Sequence, residues 1–231
     1  MQRNKIKNSS NVLLACFIFI FVCLTFFNQL VLYKAVVQIT GATSLEGTVS
    51  ITVLSACTID LFEGWNFISL CAEPPNKSIE KVLEDIDFRY VLQWNETRQE
   101  FDVYSPKAAS NSFDKFDTNK SYFILLSSSA LLNVPGDFFD DMNISMMYGW
   151  NPPTYPYLFT TNISKYLETI TGQYRYVMKW NTSGQEFIIY SPKAATPEFT
   201  TILQGEGQFI LVSDPSGAVL RYNKTYLEND P

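Results

Sequence analysis

The chain is predicted to be mainly β (α+β), and three observations predict it. The first is an internal repeat: residues 99–109 read QEFDVYSPKAA and residues 185–195 read QEFIIYSPKAA, nine of eleven positions identical at an offset of 86 residues. A period of this size marks a duplicated structural unit. The second is strand-like alternation just before each copy, Tyr90-Val91-Leu92-Gln93-Trp94-Asn95 and Tyr176-Val177-Met178-Lys179-Trp180-Asn181. The third is one short stretch at helical spacing ahead of each hairpin. Together with the amino terminus they predict a transmembrane helix followed by two tandem small antiparallel β-rich modules, each with one short amphipathic helix. The expected divisions are 1–11, a cytoplasmic basic tail; 12–33, a transmembrane signal anchor; 34–47, a stalk; 48–136, module one; and 137–226, module two.

Composition limits the chemistry. The 231 residues carry a net charge of −6, which argues against a broad cationic surface for nucleic acid. Aromatics make up 15% of the chain against 17% charged residues, the balance of a well-cored protein and not of a disordered one. There is no histidine, so the commonest general base and metal ligand is missing.

Residues 1–11 carry Arg3, Lys5 and Lys7 and no acid, and residues 12–27 are apolar except for Thr25. A helix over 12–33 would be about 33 Å long, enough to cross a bilayer core. The basic flank stays inside, so the chain after Lys34 is expected outside, with the protein anchored in the cell membrane as a single pass. Cleavage near Thr40-Gly41-Ala42 would instead release a secreted protein. Cys16 and Cys23 are read as apolar residues of this segment.

In the first copy, residues 48–54 and 57–62 read as strand and Glu63-Gly64-Trp65-Asn66 as a turn into Phe67-Ile68-Ser69-Leu70-Cys71. A hairpin about Gly64 would set Cys57 opposite Cys71, as a disulfide in an exported protein or as two buried thiols. Closing that loop would stabilise by about 3 kcal/mol. The second copy has no cysteine, so the bond is not essential to the fold type. Ile79, Val82, Leu83 and Ile86 make the apolar stripe of a helix capped by Ser78. Residues 88–94 and 100–104 form a hairpin ended by Ser105-Pro106. Residues 122–126 and 131–134 read as a closing hairpin.

The second copy repeats this order. Residues 144–148 precede Gly149-Trp150-Asn151, Asn162 caps a helix with Ile163, Tyr166, Leu167 and Ile170 on one face, and residues 174–180 and 186–190 repeat the aromatic hairpin. It departs at Pro152-Pro153-Thr154-Tyr155-Pro156. Three prolines exclude a central strand, so this stretch is expected at an edge or in a loop.

Gly64-Trp65-Asn66-Phe67-Ile68-Ser69-Leu70, followed by a helix, an aromatic hairpin and a Tyr-Phe-Ile strand, resembles a tandem Gly-Trp-Asn-x-Ile-Ser-type module of secreted and cell-surface proteins, found mainly in archaea and also in bacteria. The resemblance covers residues 48–222 and is weaker in the second copy. It implies an extracellular structural or binding role and no established reaction.

Sequons begin at Asn76, Asn95, Asn119, Asn143, Asn162, Asn181 and Asn223, with another at Asn8 on the inner side. The seven outer ones are candidate glycosylation sites, although asparagine also suits turns, and Asn162 doubles as a cap. Trp94 and Trp180, beside the hairpin turns, are the candidate ligand-binding aromatics; alternating aromatics are more commonly core. Gly136-Asp137-Phe138-Phe139-Asp140-Asp141 reads as an acidic linker. Ser105 with Lys107, and Ser191 with Lys193, read as turns, because duplicated catalytic pairs are unusual in small repeats. No catalytic residue, cofactor or metal site is expected. The expected role is a non-enzymatic, glycosylated cell-surface or envelope protein, for structure or adhesion. A glycan- or envelope-partner-binding module is the second reading, and a hydrolase a remote third.

Overall fold

The computed structural model describes residues 57–228. The expected anchor, tail and stalk lie outside them, as does the strand expected over 48–54. Among the described residues no helix is long and apolar enough to cross a membrane.

The described chain is mainly β. It runs β1 (Cys57–Leu61), β2 (Gly64–Ser69), α1 (Ile79–Val82), β3 (Phe88–Asn95), β4 (Glu100–Tyr104), β5 (Ser121–Leu126), β6 (Ala130–Val134), β7 (Met142–Met146), β8 (Gly149–Asn151), β9 (Thr161–Asn162) and α2 (Ile163–Tyr166). There follow a 3-10 turn (Glu168–Ile170), β10 (Tyr174–Asn181), β11 (Glu186–Tyr190), β12 (Thr201–Ile202), β13 (Gln208–Val212), β14 (Ala218–Tyr222) and α3 (Lys224–Glu228). One four-stranded sheet has the order β2-β5-β3-β4 and the other β8-β13-β10-β11, so the second half repeats the first. Three further pairs complete the described chain: β1 with β6 packs into the first core, β7 with β14 into the second, and the short β9–β12 pair adds Ile202 to the second. Even the irregularities recur: the β3–β5 ladder shifts register between Phe88 and Tyr90, and the β10–β13 ladder between Tyr174 and Tyr176.

The aromatic hairpins form as expected, with Trp94 opposite Phe101 and Trp180 opposite Phe187. The two other expected hairpins do not. β1 pairs with β6 and not with β2, and β5 pairs with β2 and β3 and not with β6. The reason lies in β5. Ser121, Tyr122, Phe123 and Ile124 are all buried, so this strand needs cover on both faces and sits inside a sheet. The disulfide survives the changed topology: Cys57 and Cys71 are bonded, with Cα atoms 5.4 Å apart, and the bond ties the β1–β6 pair to the end of β2.

Both helices are shorter than the apolar stripe suggested. α1 is a single turn, although Ile79, Val82, Leu83 and Ile86 are all buried as the stripe requires. Glu84, Asp85 and Asp87 crowd its carboxyl end, where the helix dipole disfavours negative charge. Ser78 holds the cap position without a side-chain bond; Asn76 Oδ1 instead accepts from Ser78 N at 2.9 Å. Asn162 does cap α2, accepting from Ser164 N at 2.9 Å.

The proline stretch is irregular, as three prolines demand, yet residues 151–157 are all buried. Buried irregular backbone must find partners elsewhere. Prolines 152, 153 and 156 bring no N–H to satisfy, which reduces the problem to carbonyls and two donors. Ser121 N donates to Pro152 O, and Ser121 Oγ and Gln208 Nε2 donate to Pro153 O. Thr154 N donates to Asn119 O and Tyr155 N to Ser69 Oγ. Gln208 Nε2 also donates to Tyr166 Oη, the Tyr166 hydroxyl donates to Tyr222 Oη, and Tyr222 donates to Thr154 O. Gln208 Oε1 and Thr161 Oγ1 find no protein partner.

Two outcomes follow. Replacing Cys57 and Cys71 by serine should lower the unfolding free energy by about 3 kcal/mol in denaturant titration without changing the strand signal in circular dichroism. Burial pushes the hydroxyls of Tyr122, Tyr157, Tyr166, Tyr174 and Tyr222 above their ordinary value. A raised folded pKa means the neutral form is favoured in the fold, so this stability is complete below about pH 10 and falls as pH rises further. Alkaline titration should therefore show tyrosinate absorbance from these residues appearing together with loss of the fold.

Candidate functional site

The repeated stretch opens with glutamine, and that residue joins the two halves. Gln99 and Gln185 have φ of 55° and 52°, a left-handed conformation that a non-glycine residue adopts only when its surroundings hold it. Each ends a tight turn. Gln99 N donates to Asn95 O at 2.7 Å, and Gln99 Nε2 to Glu96 O at 2.6 Å. The amide then reaches across to the opposite half. Gln99 Oε1 accepts from Trp150 N at 2.8 Å and Nε2 donates to Trp150 O at 3.2 Å. In the mirror position Gln185 takes Trp65 N at 2.9 Å and Trp65 O at 3.1 Å. A side-chain amide thus stands in for a neighbouring strand.

The Gly-Trp-Asn motif is the other side of the same contact. Gly64 and Gly149 have φ of +93° and +103°, and a Cβ there would lie 2.9 Å and 2.7 Å from the glutamine oxygens. Asn66 closes the turn by accepting from Phe62 N at 2.8 Å and donating to Phe62 O at 2.7 Å; Asn151 does the same with Met147 at 3.0 and 2.7 Å. Glycine, tryptophan and asparagine are each used once per half.

The candidate aromatics Trp94 and Trp180 lie in this seam, half-buried. Trp94 Nε1 donates to Trp150 O and Trp180 Nε1 to Trp65 O, each at 2.9 Å. Between them Phe67, Phe123 and Phe209 form a separate apolar cluster, with Phe67 stacked on Phe123 at 4.3 Å and on Phe209 at 4.8 Å. Backbone pairing also crosses the seam twice in matching positions. Ser69 N donates to Gly205 O and Gly207 N to Phe67 O; Thr154 N donates to Asn119 O and Ser121 N to Pro152 O. The parts of the hairpins that leave the seam carry exposed apolar groups, Tyr90 and Val103 in one, Tyr176 and Ile189 in the other.

The sequon asparagines lie around this body. Asn76, Asn119, Asn143, Asn162 and Asn223 are exposed. Asn95 and Asn181 are only half-exposed, because their Oδ1 atoms brace the hairpin turns against Arg98 N and Gly184 N. Asn223 starts α3, accepting from Tyr226 N, while Asp141 of the linker accepts from Lys224 N. The rest of the linker is pinned too: Asp137 O accepts from Glu73 N, and Phe139 is buried. At Ser105 and Ser191 the hydroxyl accepts from the backbone N–H of Lys107 and Lys193, at 3.4 and 3.3 Å, as in a turn.

Sequence reasoning missed the glutamines, although their identity in both copies beside a turn was a usable signal. It also missed Lys179, which is buried and held by Glu206 Oε1 and Oε2 at 3.0 and 2.9 Å over the ring of Phe199. Nothing local in the sequence links residues 27 positions apart. Among the described residues no group of three or more His, Cys, Asp or Glu could hold a metal ion. A groove of about 320 Å³ opens at the seam, lined among others by Glu96, Asn119, Lys120, Asn143, Ser145 and Pro153.

No family model, curated protein or solved structure matches this chain.

Gln99→Ala should cost about 1–3 kcal/mol in chemical denaturation, because it strips three side-chain bonds, two of them across the seam, and leaves the Trp150 N–H unpaired. Gln185→Ala should cost a similar amount by the mirror contact. Gly149→Ala should destabilise more than either, since it adds φ strain to displacement of the clasp.

Proposed function

We propose that this chain is a membrane-tethered extracellular protein. It presents a rigid, two-part β body, glycosylated at several outer sequons, as a structural or adhesive element of the cell envelope. The observation that carries this reading is the Cys57–Cys71 disulfide, a bond that forms and persists outside the reducing cytosol. It agrees with a basic start followed by an apolar segment long enough to span a bilayer. It agrees also with exposed or half-exposed asparagines at every outer sequon. The repeated glutamines, hairpin tryptophans and Gly-Trp-Asn turns are consumed by internal contacts, so their duplication needs no duplicated reaction. The likeness to Gly-Trp-Asn-x-Ile-Ser-type modules of cell surfaces supports the same role.

The full chain, expressed in a host that glycosylates Asn-x-Ser/Thr, should sediment with membranes and be digested by protease added outside intact cells. Its intact mass should exceed that of the polypeptide and fall to it on deglycosylation. A cytosolic, unmodified, thiol-reactive chain would overturn the reading.

The exposed Tyr90 and Tyr176 favour a second reading, binding of envelope glycans or proteins through the hairpins, in place of Trp94 and Trp180. If binding is the role, Tyr90→Ala with Tyr176→Ala should leave the melting temperature within a few degrees and abolish retention of the full chain on envelope material. Unchanged retention would remove that reading.

A further inference from the structure

The seven outer sequons are not equivalent, and the difference lies in their hydroxyl residues. At six of them the serine or threonine two positions on is exposed or half-exposed: Ser78, Thr97, Ser145, Ser164, Ser183 and Thr225. At the seventh, Asn119-Lys120-Ser121, the asparagine is exposed but Ser121 is 1% exposed. Ser121 is held by the other half of the molecule. Its backbone N–H donates to Pro152 O at 2.7 Å and its Oγ to Pro153 O at 2.8 Å. The same Oγ lies 2.9 Å from Ser69 Oγ, whose own proton goes to Glu206 O. The carbonyl of Asn119 is engaged as well, accepting from Thr154 N at 3.0 Å. The sequon hydroxyl, the Ser121 N–H and the Asn119 carbonyl are therefore all spent on closing the seam. The asparagine itself opens onto the groove at the seam, which it shares with Asn143.

We infer that Asn119 is a glycan acceptor only before the second half of the chain docks onto the first, whereas the sequons with accessible hydroxyls stay open to modification afterwards. The inference rests on the glycoprotein reading above. The reaction is transfer of a sugar from a lipid-phosphate-linked donor. Asn119 Nδ2 forms a bond to the anomeric carbon, the bond from that carbon to the phosphate oxygen breaks, and the lipid phosphate leaves with the electron pair. One amide proton is lost to a base of the transferase. The enzyme must hold the sequon hydroxyl while this happens, and in the closed seam Ser121 is out of reach. The segment that blocks it, Pro152-Pro153-Thr154, lies more than thirty residues downstream of Asn119 in sequence. Modification and seam closure therefore compete during synthesis, and the glycan at Asn119 records which came first. Once placed, that glycan has an exposed attachment point and does not obstruct the fold.

The test uses the full chain made without glycans, once folded and once reduced and diluted from denaturant. Each is mixed with membranes carrying an N-glycosyltransferase and its lipid-linked oligosaccharide, and occupancy is read at each site by mass spectrometry. The folded chain should be modified at Asn119 about tenfold or more slowly than at Asn76, because transfer there waits on opening of the seam. The unfolded chain should show the two sites at comparable rates. Gln99→Ala with Gln185→Ala, which loosens the seam, should raise the rate at Asn119 in the folded protein and leave Asn76 unchanged. Equal rates at Asn119 and Asn76 in the folded chain would overturn the inference while leaving the glycoprotein reading intact. Modification at no sequon in either form would overturn both.

Discussion

The structure depends on one interaction made twice, the grip of a glutamine amide on the backbone of a tryptophan in the other half. An amide side chain sets an N–H donor beside a carbonyl acceptor in one plane, the same pair a strand would offer, and its second N–H is left to brace the turn. That lets a hairpin turn satisfy a peptide group it cannot reach with its own backbone. The geometry has strict requirements. The glutamine must turn its backbone to positive φ, and the residue before the tryptophan must have no Cβ. The indole of the hairpin tryptophan then closes on the same carbonyl. Glutamine, glycine and tryptophan therefore form one unit spread over two halves of the chain, and each half supplies what the other lacks.

The seam is core in its energetics. Phe67, Phe123 and Phe209 are buried in it, and β5 and β13 are covered on both faces because of it. Apolar burial of this kind is non-directional and favours many arrangements. The amide clasps and the paired backbone crossings are directional and select one. The prolines of the second half show how far the repeat can be bent. They shorten β8 to three residues where β2 has six. The lost ladder is replaced by side chains, Ser121, Ser69, Gln208 and the Tyr166–Tyr222 pair, each aimed at a carbonyl or N–H that a strand would otherwise satisfy. A single proline-rich departure thus recruits polar residues from both halves into the centre of the molecule.

This has a bearing on function. Identity between copies often attracts attention as a shared active motif, but here the repeated glutamine clasps the other half and the repeated tyrosine is buried, while the Ser-Pro-Lys-Ala-Ala end is an exposed turn. What varies between the halves is the placing of most sequons on the outer surface and, inside the first core, a buried disulfide that the second half lacks. On the reading proposed here the body is a rigid mount, and its outer features are what the cell envelope meets.

Much of this was determined by the sequence. Alternation in 88–94 and 174–180 specified the aromatic hairpins, because strand periodicity is local. The apolar spacing of Ile79, Val82, Leu83 and Ile86 identified the buried face even though the helix is only one turn. The fourteen-residue separation of Cys57 and Cys71 allowed the bond that forms. Other features only the tertiary structure decided. Gly64 was legible as a turn, but not that β1 leaves that turn for β6, since strand partners are chosen by which faces need cover. The prolines were legible as strand breakers, but not as buried, because their carbonyls are satisfied by residues tens of positions away. The hairpin tryptophans were legible as aromatic, but which way they face depends on a second sheet. Local pattern sets what each segment can be, and long-range burial and hydrogen bonding set what it meets; the repeated glutamine belongs to both, visible as a recurrence in sequence and understood only where it reaches the other half.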